Sequence, residues 1–510
     1  MRMSISPYSI SALKRSTIHF LTGKAVSAFL TLITLLWLVR LLTVEEYSVY
    51  VVLMAGMEIS LAVTTLGLPW VALRYLPEFR LHASGRMLRY YVWQVISLIS
   101  LILVAGALLL FIALPWLLPL LELVHYTNVA KFYLLVLVTE GVGRHIRESI
   151  LGPLMLQGKA QISQVVRNFV LLIAIGFVAA QGSLNLHHMV LAELLASLIG
   201  TILALYGLIR YLHAHRNLQE RDSWQPPSWS DMWRVARHMY LGNLVTQAYN
   251  PQVFVLLAQR YLGLEAIALF GFLRSLYGQV ANYLPAALLS NLIRPKLVAS
   301  FMGKGGMAEL TCNANLVGKL SMFALMPILV FICLTGSDLI YLLSGGKFDE
   351  TNHYLAGLLM ALIPLSQRQI LEIVAVTSEK SHLCSLGATL GVLVLPMAYF
   401  LLESGHGLWS VIISIVMSQV LFSGALIATL THMTTYRFDY IGSFKLIAAA
   451  SIGFLFMQQL AFSIQGWLDL SLILILSCGF FLLISFFIKP FYMEEREKLN
   501  RLFNRKIFVW

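Results

Sequence analysis

The chain has 510 residues, of which 59% are hydrophobic and 12% charged, and 36 Lys and Arg against 24 Asp and Glu give a formal net charge of +12. A soluble domain spends about 25% of its residues on charge, so this composition, with a mean hydropathy of +0.79, excludes a water-soluble globular protein. The basic excess is scattered through short segments between apolar runs and forms no aromatic-interleaved patch, which argues against nucleic acid as a partner.

Those runs reach roughly 20 residues, the length that carries an α-helix across about 30 Å of hydrocarbon. They predict spans over 17–41, 48–67, 91–118, 131–156, 163–181, 189–210, 238–258, 265–290, 318–343, 353–377, 383–402, 407–430, 443–464 and 468–488. The first follows Arg2, Lys14 and Arg15 but is too long for a signal-peptide core and has no small-residue cleavage site behind it. It is expected to remain as a helix. Fourteen spans leave both termini cytoplasmic, and the positive-inside rule agrees: most Lys and Arg, among them Arg74, Arg80, Arg86, Arg89, Arg210 and Arg234, then fall on the cytoplasmic side. Arg40, Lys131, Arg260 and Lys347 fall outside. External loops are short and leave no room for a folded domain.

The expected architecture is an all-α polytopic membrane protein with two pseudo-symmetric six-helix bundles, over 1–212 and 238–430. A Pro- and Trp-containing cytoplasmic linker at 213–237 separates them. Two additional helices occupy 431–488, and 489–510 forms a basic amphipathic tail suited to an anionic membrane surface. An internal repeat supports the two bundles. A shift of 220 residues sets Arg40 and Glu45 on Arg260 and Glu265, and Arg74 on Arg294; a shift of 221 sets Arg147 on Arg368 and Lys159 on Lys380. Each repeat holds an even number of helices, so the pseudo-two-fold axis runs along the membrane normal, and substrate sites in such transporters lie where the halves meet.

A charge in hydrocarbon costs about 2.5–3.5 kcal/mol on insertion scales, so each intramembrane charge is a functional candidate weighed against snorkelling or a neutralising pair. Lys24 lies about 10 Å into the first span and either faces a cavity or snorkels. Glu58, mid-span, is either a proton or cation site or a protonated, hydrogen-bonded core residue. Glu140, Arg144 and Glu148 are spaced for pairing along one helix face, which leaves Arg147 over. Arg147 and its repeat mate Arg368 are placed to hold an anionic group, because a guanidinium fork pairs bidentately with phosphate. Arg274 has no carboxylate three or four residues away. Asn243, Gln247 and Asn250 share a face that suits either sugar hydroxyls or helix-to-helix hydrogen bonds. Cys312, Cys333, Cys384 and Cys478 show no metal-ligand or disulfide spacing, and no cofactor is expected.

The stretch RLLTVEEYSVYVVLMAGMEISLAVTTLGLPWVALRYLPEFR, Arg40 to Arg80, resembles the opening of bacterial polysaccharide flippases of the Wzx type, as do Leu156-Gln157-Gly158-Lys159 and the segment from Leu342 to Phe348. The resemblance implies a member of the multidrug/oligosaccharidyl-lipid/polysaccharide exporter superfamily, with two bundles around a central cationic cavity. It implies an undecaprenyl-pyrophosphate oligosaccharide as cargo, moved across a bacterial inner membrane by alternating access for surface polysaccharide assembly. Lys24, Arg144, Arg147, Arg274, Arg368, Asn243 and Gln247 would then meet the cargo, and Glu58 or Glu140 would carry a coupling ion, a proton or sodium. Expected partners are the lipid-linked oligosaccharide, membrane lipids, and a polysaccharide polymerase or chain-length regulator.

No G-x-x-x-x-G-K-[ST] stretch is present to bind nucleotide. Rival readings are a lipid II flippase, a drug-cation antiporter, which would favour an acidic cavity, and a polytopic polymerase or ligase, for which the short external loops offer no catalytic pair.

Overall fold

In hydrocarbon a backbone N–H or C=O finds no water, and a helix satisfies each one within its own segment. The computed structural model obeys that constraint: every regular element among the described residues is helical. It describes residues 10–182, 184–217, 224–288, 306–349, 351, 353–378, 380–460, 464, 466–503 and 508. Arg2 and Arg294, named above, lie outside them.

The helices are α1 (Ile10–Leu41), α2 (Val44–Thr64), α3 (Leu68–His82), α4 (Gly85–Leu120), α5 (Thr127–His145), α6 (Gln157–Ala180), α7 (Leu186–Ala214), α8 (Trp229–Gln247), α9 (Pro251–Tyr283), α10 (Gly306–Ser344), α11 (Tyr354–Met360), α12 (Leu362–Thr377), α13 (His382–Val392), α14 (Val394–Glu403), α15 (Leu408–Met433), α16 (Tyr440–Gln458), α17 (Trp467–Ile488) and α18 (Met493–Phe503). The last turn of α5 passes directly into a π-helical segment, Ile146–Leu151.

Twelve helices among the described residues are long and apolar enough to cross a membrane. The protein is a multi-pass membrane protein. Two features separate that count from the fourteen spans expected. Helix α5 contains Lys131, Glu140 and Arg144, too much charge for a purely apolar criterion. The run Tyr240–Tyr283 counts once although it has 44 residues, about 66 Å of helix, twice the thickness of the hydrocarbon. It is interrupted at Gly263, whose backbone (φ 77°, ψ −178°) only glycine adopts without strain. The 220-residue shift places Gly263 on Thr43, and Thr43 sits in the break between α1 and α2. There it caps α2 reciprocally with Glu46. The aligned positions are thus a capping box between α1 and α2 and a glycine break within α9.

The helix α3 was not expected. It is too short to span, and it starts at Leu68-Pro69 behind Gly67, which is left-handed (φ 78°). Its apolar residues Leu68, Val71, Ala72, Leu76 and Phe79 are buried, whereas Arg74 is exposed.

The chain divides into two compact units, one comprising residues through Ala248 with Gln252–Ala268, the other Tyr249–Pro251 with Leu269–Trp510. In the first, α1 packs on α6, α6 on α7, α7 on α5 and α5 on α4. Small residues permit the close approaches: a Cβ at Gly143 of α5 would collide with the Thr201 hydroxyl of α7. In the second, α10 packs on α12, α16 and α17, and α15 on α12, α13 and α14. Helix α15 turns Ser410, Ser414, Ser418 and Ser423 inward.

The tail forms α18 as a short helix, and its Leu499 is buried in one cluster with Phe491, Phe508 and Leu316 of α10.

Candidate functional site

The first unit encloses an ionic network built from four of its helices. Glu140 of α5 is 2% exposed. Its Oε1 accepts from the Arg147 guanidinium at 2.7 Å and its Oε2 from Arg167 Nε of α6 at 2.6 Å. A second Arg167 nitrogen lies 3.4 Å from Glu193 of α7, whose other oxygen accepts from the Tyr133 hydroxyl at 3.3 Å. Arg167 also donates to Asn168 Oδ1 at 3.3 Å, and Asn168 donates to the Ser27 and Thr31 hydroxyls of α1 at 2.7 and 2.9 Å. Buried guanidiniums and carboxylates are tolerated only when paired and hydrogen-bonded in this way.

The network has a more open edge. Arg144 donates to Glu58 Oε2 of α2 at 2.8 Å, with side chains 27% and 29% exposed. Helices α2 and α5 run in the same direction. Tyr126, just before α5, donates to Glu45 at the start of α2 at 2.8 Å, and Glu58, about two-thirds of the way along α2, meets Arg144 in the last turn of α5. Burial, followed by that Glu45 bond, pushes the Tyr126 hydroxyl up to about 12.

The structure thus brings together Glu58, Glu140, Arg144 and Arg147, four of the residues singled out from the sequence, but pairs them differently. Arg147 is not left over: it is 4% exposed and reaches back seven residues to Glu140. Two helical turns return both residues to one face, and helical side chains lean toward the N-terminus. Glu148, expected to pair with Arg144, is exposed. The balance of charge differs as well. Arg144, Arg147 and Arg167 are ion-paired with Glu58, Glu140 and Glu193, and Glu148 lies in the field of Arg144 and Arg147, so carboxylates at least balance the guanidiniums in this part of the first unit, where a cationic wall was expected.

The other candidates belong to α1, α8, α9 and α12. Lys24 of α1 is half-buried, with its ammonium 5.6 Å from the centre of the Phe20 ring. Asn243 and Gln247 of α8 share a face, the Gln247 amide donating to Asn243 Oδ1 at 3.5 Å. Arg274 and Arg368 belong to the second unit. Arg274 is half-buried in α9. Arg368 of α12 donates to Glu372 on its own helix at 2.9 Å and to Gln419 of α15 at 3.3 Å, and lies 3.9 Å over the Phe422 ring.

Sequence reasoning passed over Arg167 and Glu193, and also a buried cation in the second unit. Lys319 of α10, 1% exposed, is bracketed by Asp439 Oδ2 at 2.6 Å and Glu495 Oε2 at 2.5 Å, with the Tyr492 ring centre 4.5 Å away. Asp439 also caps α16 through the Gly442 N–H at 2.8 Å. Burial opposes ionisation of this carboxyl, but the bonds from Lys319 and Gly442 hold it below the usual carboxylate range.

The chain is a helical membrane protein in two units, with a buried ion network in its first. Residues 13–303, more than half the chain, match the family described as polysaccharide biosynthesis protein, and the chain belongs to that family. Its fold is that of the multidrug/oligosaccharidyl-lipid/polysaccharide exporters. It is similar to the lipid II flippase MurJ in an inward closed conformation (TM-score 0.67, 13% identity, covering 96% of this chain and 100% of that one). It is also similar to a superfamily transporter from Pyrococcus furiosus (0.56, 15%, 83% and 95%) and to the Vibrio cholerae MATE transporter VcmN (0.55, 14%, 83% and 97%). No curated protein shows significant sequence similarity to the chain.

Proposed function

We propose that the chain carries an undecaprenyl-pyrophosphate-linked oligosaccharide across a bacterial inner membrane for surface polysaccharide assembly, by alternating access. The observation that carries this reading is the open edge of the ion network: Arg144 presents a partly exposed guanidinium from a helix inside a membrane-embedded unit, next to a single close carboxylate. A guanidinium in that setting recognises a phosphate by charge and by its fork of donors. Family membership supports a polysaccharide precursor as cargo. The likeness to a protein named as a lipid II flippase extends over 96% of the chain, against 82–84% for the multidrug exporters, which supports a lipid-linked cargo over a soluble one.

Lys24 adds a second cation to the first unit, and Asn243 and Gln247 offer amides to sugar hydroxyls. Arg274 and Arg368 supply the corresponding cations of the second unit. Glu140 is held by Arg147 and Arg167, which leaves Glu58 as the carboxylate with access for a coupling ion. Chemically the step is a carriage: no bond is made or broken. The charge balance of the network favours one second reading, export of an organic cation that would pair with Glu58.

Proteoliposomes separate the two. Purified protein should make a pyrophosphate-linked glycolipid accessible from the opposite side, and Arg144→Gln should abolish the movement. Ion-driven uptake of a soluble organic cation without glycolipid movement would replace the proposal with the second reading.

A further inference from the structure

We infer that Glu58 is a displaceable counter-ion: it occupies the place on Arg144 that a phosphate group of the cargo takes, so the ion pair and the bound anion exclude each other. This rests on the reading of the chain as a carrier of a phosphate-linked lipid.

Glu58 and Glu140 come within ion-pair distance of Arg144, with Glu148 one turn further along adding to its field, and only Glu58 is engaged with it closely. Glu140 has both oxygens occupied, by Arg147 at 2.7 Å and Arg167 at 2.6 Å, and stands 3.9 Å from Arg144 Nε. Glu58 makes one contact, from its Oε2 to a single terminal guanidinium nitrogen at 2.8 Å. That is a one-point attachment to a group built for two-point attachment. The two side chains are also the exposed members of the network, at 27% and 29%, whereas those of Arg147, Glu140 and Glu193 are 3–4% exposed and that of Arg167 is 11%. An arriving anion therefore reaches Arg144 and finds the other arginines closed to it. The partners sit on different helices, α2 and α5, so Glu58 can yield its position without dismantling the Glu140 cluster. A phosphate offers the fork two oxygens where Glu58 gives one, which makes the exchange favourable.

The inference reverses the sign expected of an essential acidic residue. With Glu58 neutralised, Arg144 keeps its charge and loses its competitor, so anion affinity rises. The test uses the full-length protein in nanodiscs, titrated with inorganic pyrophosphate by isothermal calorimetry. Glu58→Gln should bind about two- to fivefold more tightly than wild type, the scale of losing one partly exposed charge pair. Arg144→Gln should lose that gain in the Glu58→Gln background. Glu58→Asp, which keeps the charge, should stay close to wild type and guards against a folding defect in the glutamine variant.

Equal or weaker binding by a folded Glu58→Gln, or no binding by it, overturns the inference. The underlying reading is tested by glycolipid movement in the same preparations. Movement that needs Arg144 while Glu58→Gln shows no gain refutes the counter-ion alone; movement indifferent to Arg144→Gln refutes the reading beneath it as well.

Discussion

Replacing Glu140 by Gln tests whether the buried network is held together as its geometry indicates. The substitution keeps the shape of the side chain and removes the one charge shared by Arg147 and Arg167, at 2.7 and 2.6 Å. Arg167 retains Glu193 at 3.4 Å, whereas Arg147, 4% exposed, loses its one ion-pair partner among the described residues. Removing one member of a buried pair costs about 3–5 kcal/mol, because the remaining charge stays desolvated. For a unit of this size, about 2 °C per kcal/mol converts that to a fall of roughly 6–10 °C in the unfolding temperature in detergent, read by intrinsic fluorescence. The double variant Glu140→Gln with Arg147→Met removes the stranded charge too, and should recover more than half the loss. A fall of less than about 2 °C, or a double variant whose loss is the sum of the single ones, would refute the assignment of Glu140 as the shared partner.

Other consequences follow from the same structure. Glu495→Gln leaves Lys319 with Asp439 alone and should lower thermal stability, while Glu497→Gln, on the exposed side of α18, should leave it within about 0.5 kcal/mol of wild type; equal effects would contradict the bracketed geometry. Because the folded Asp439 carboxyl titrates below its unfolded value of 3.8, its contribution is complete above that pH and is lost as pH falls through the folded value. The gap in unfolding temperature between wild type and Asp439→Asn should hold from pH 7 down to about 4 and close below; a gap already closed at pH 6 would contradict the pairing. Gly143→Ala forces a methyl group into the Thr201 hydroxyl and should destabilise the protein, with partial rescue by Thr201→Ala; no rescue would place the strain elsewhere. Gly263→Ala should cost about 1–3 kcal/mol from its backbone alone, since nothing lies near the added methyl, and a neutral result in thermal unfolding would contradict that origin.

The helices were legible because a bilayer demands long apolar runs, and the chain supplies them at nearly even intervals. Helix α3 was not, because at 15 residues it is too short to span and it carries Arg74, Glu78, Arg80 and His82, so it reads as part of a loop. The missed charges share one cause. The fifth span was expected to begin at 163, which places Arg167 near an interface; α6 begins at Gln157, setting Arg167 ten residues, about 15 Å, into the helix. Lys319 was passed over in the same way, because α10 begins at Gly306 and not at 318. Glu193 acquires meaning only through Arg167, on the neighbouring helix. Arg147 was misjudged because pairing was sought at three and four residues, whereas its partner is seven residues back. Contacts between helices, such as Glu58 with Arg144, are set by packing, and no periodicity within one helix reveals them.

The most direct test of the account compares glycolipid translocation by wild type, Arg144→Gln and Arg74→Gln in proteoliposomes, with protein content and orientation matched. Arg74 carries the same charge at an exposed position of α3, paired with Glu78 at 3.4 Å. The account predicts that movement of a pyrophosphate-linked oligosaccharide persists with Arg74→Gln and disappears with Arg144→Gln. Equal rates for Arg144→Gln and wild type would contradict it.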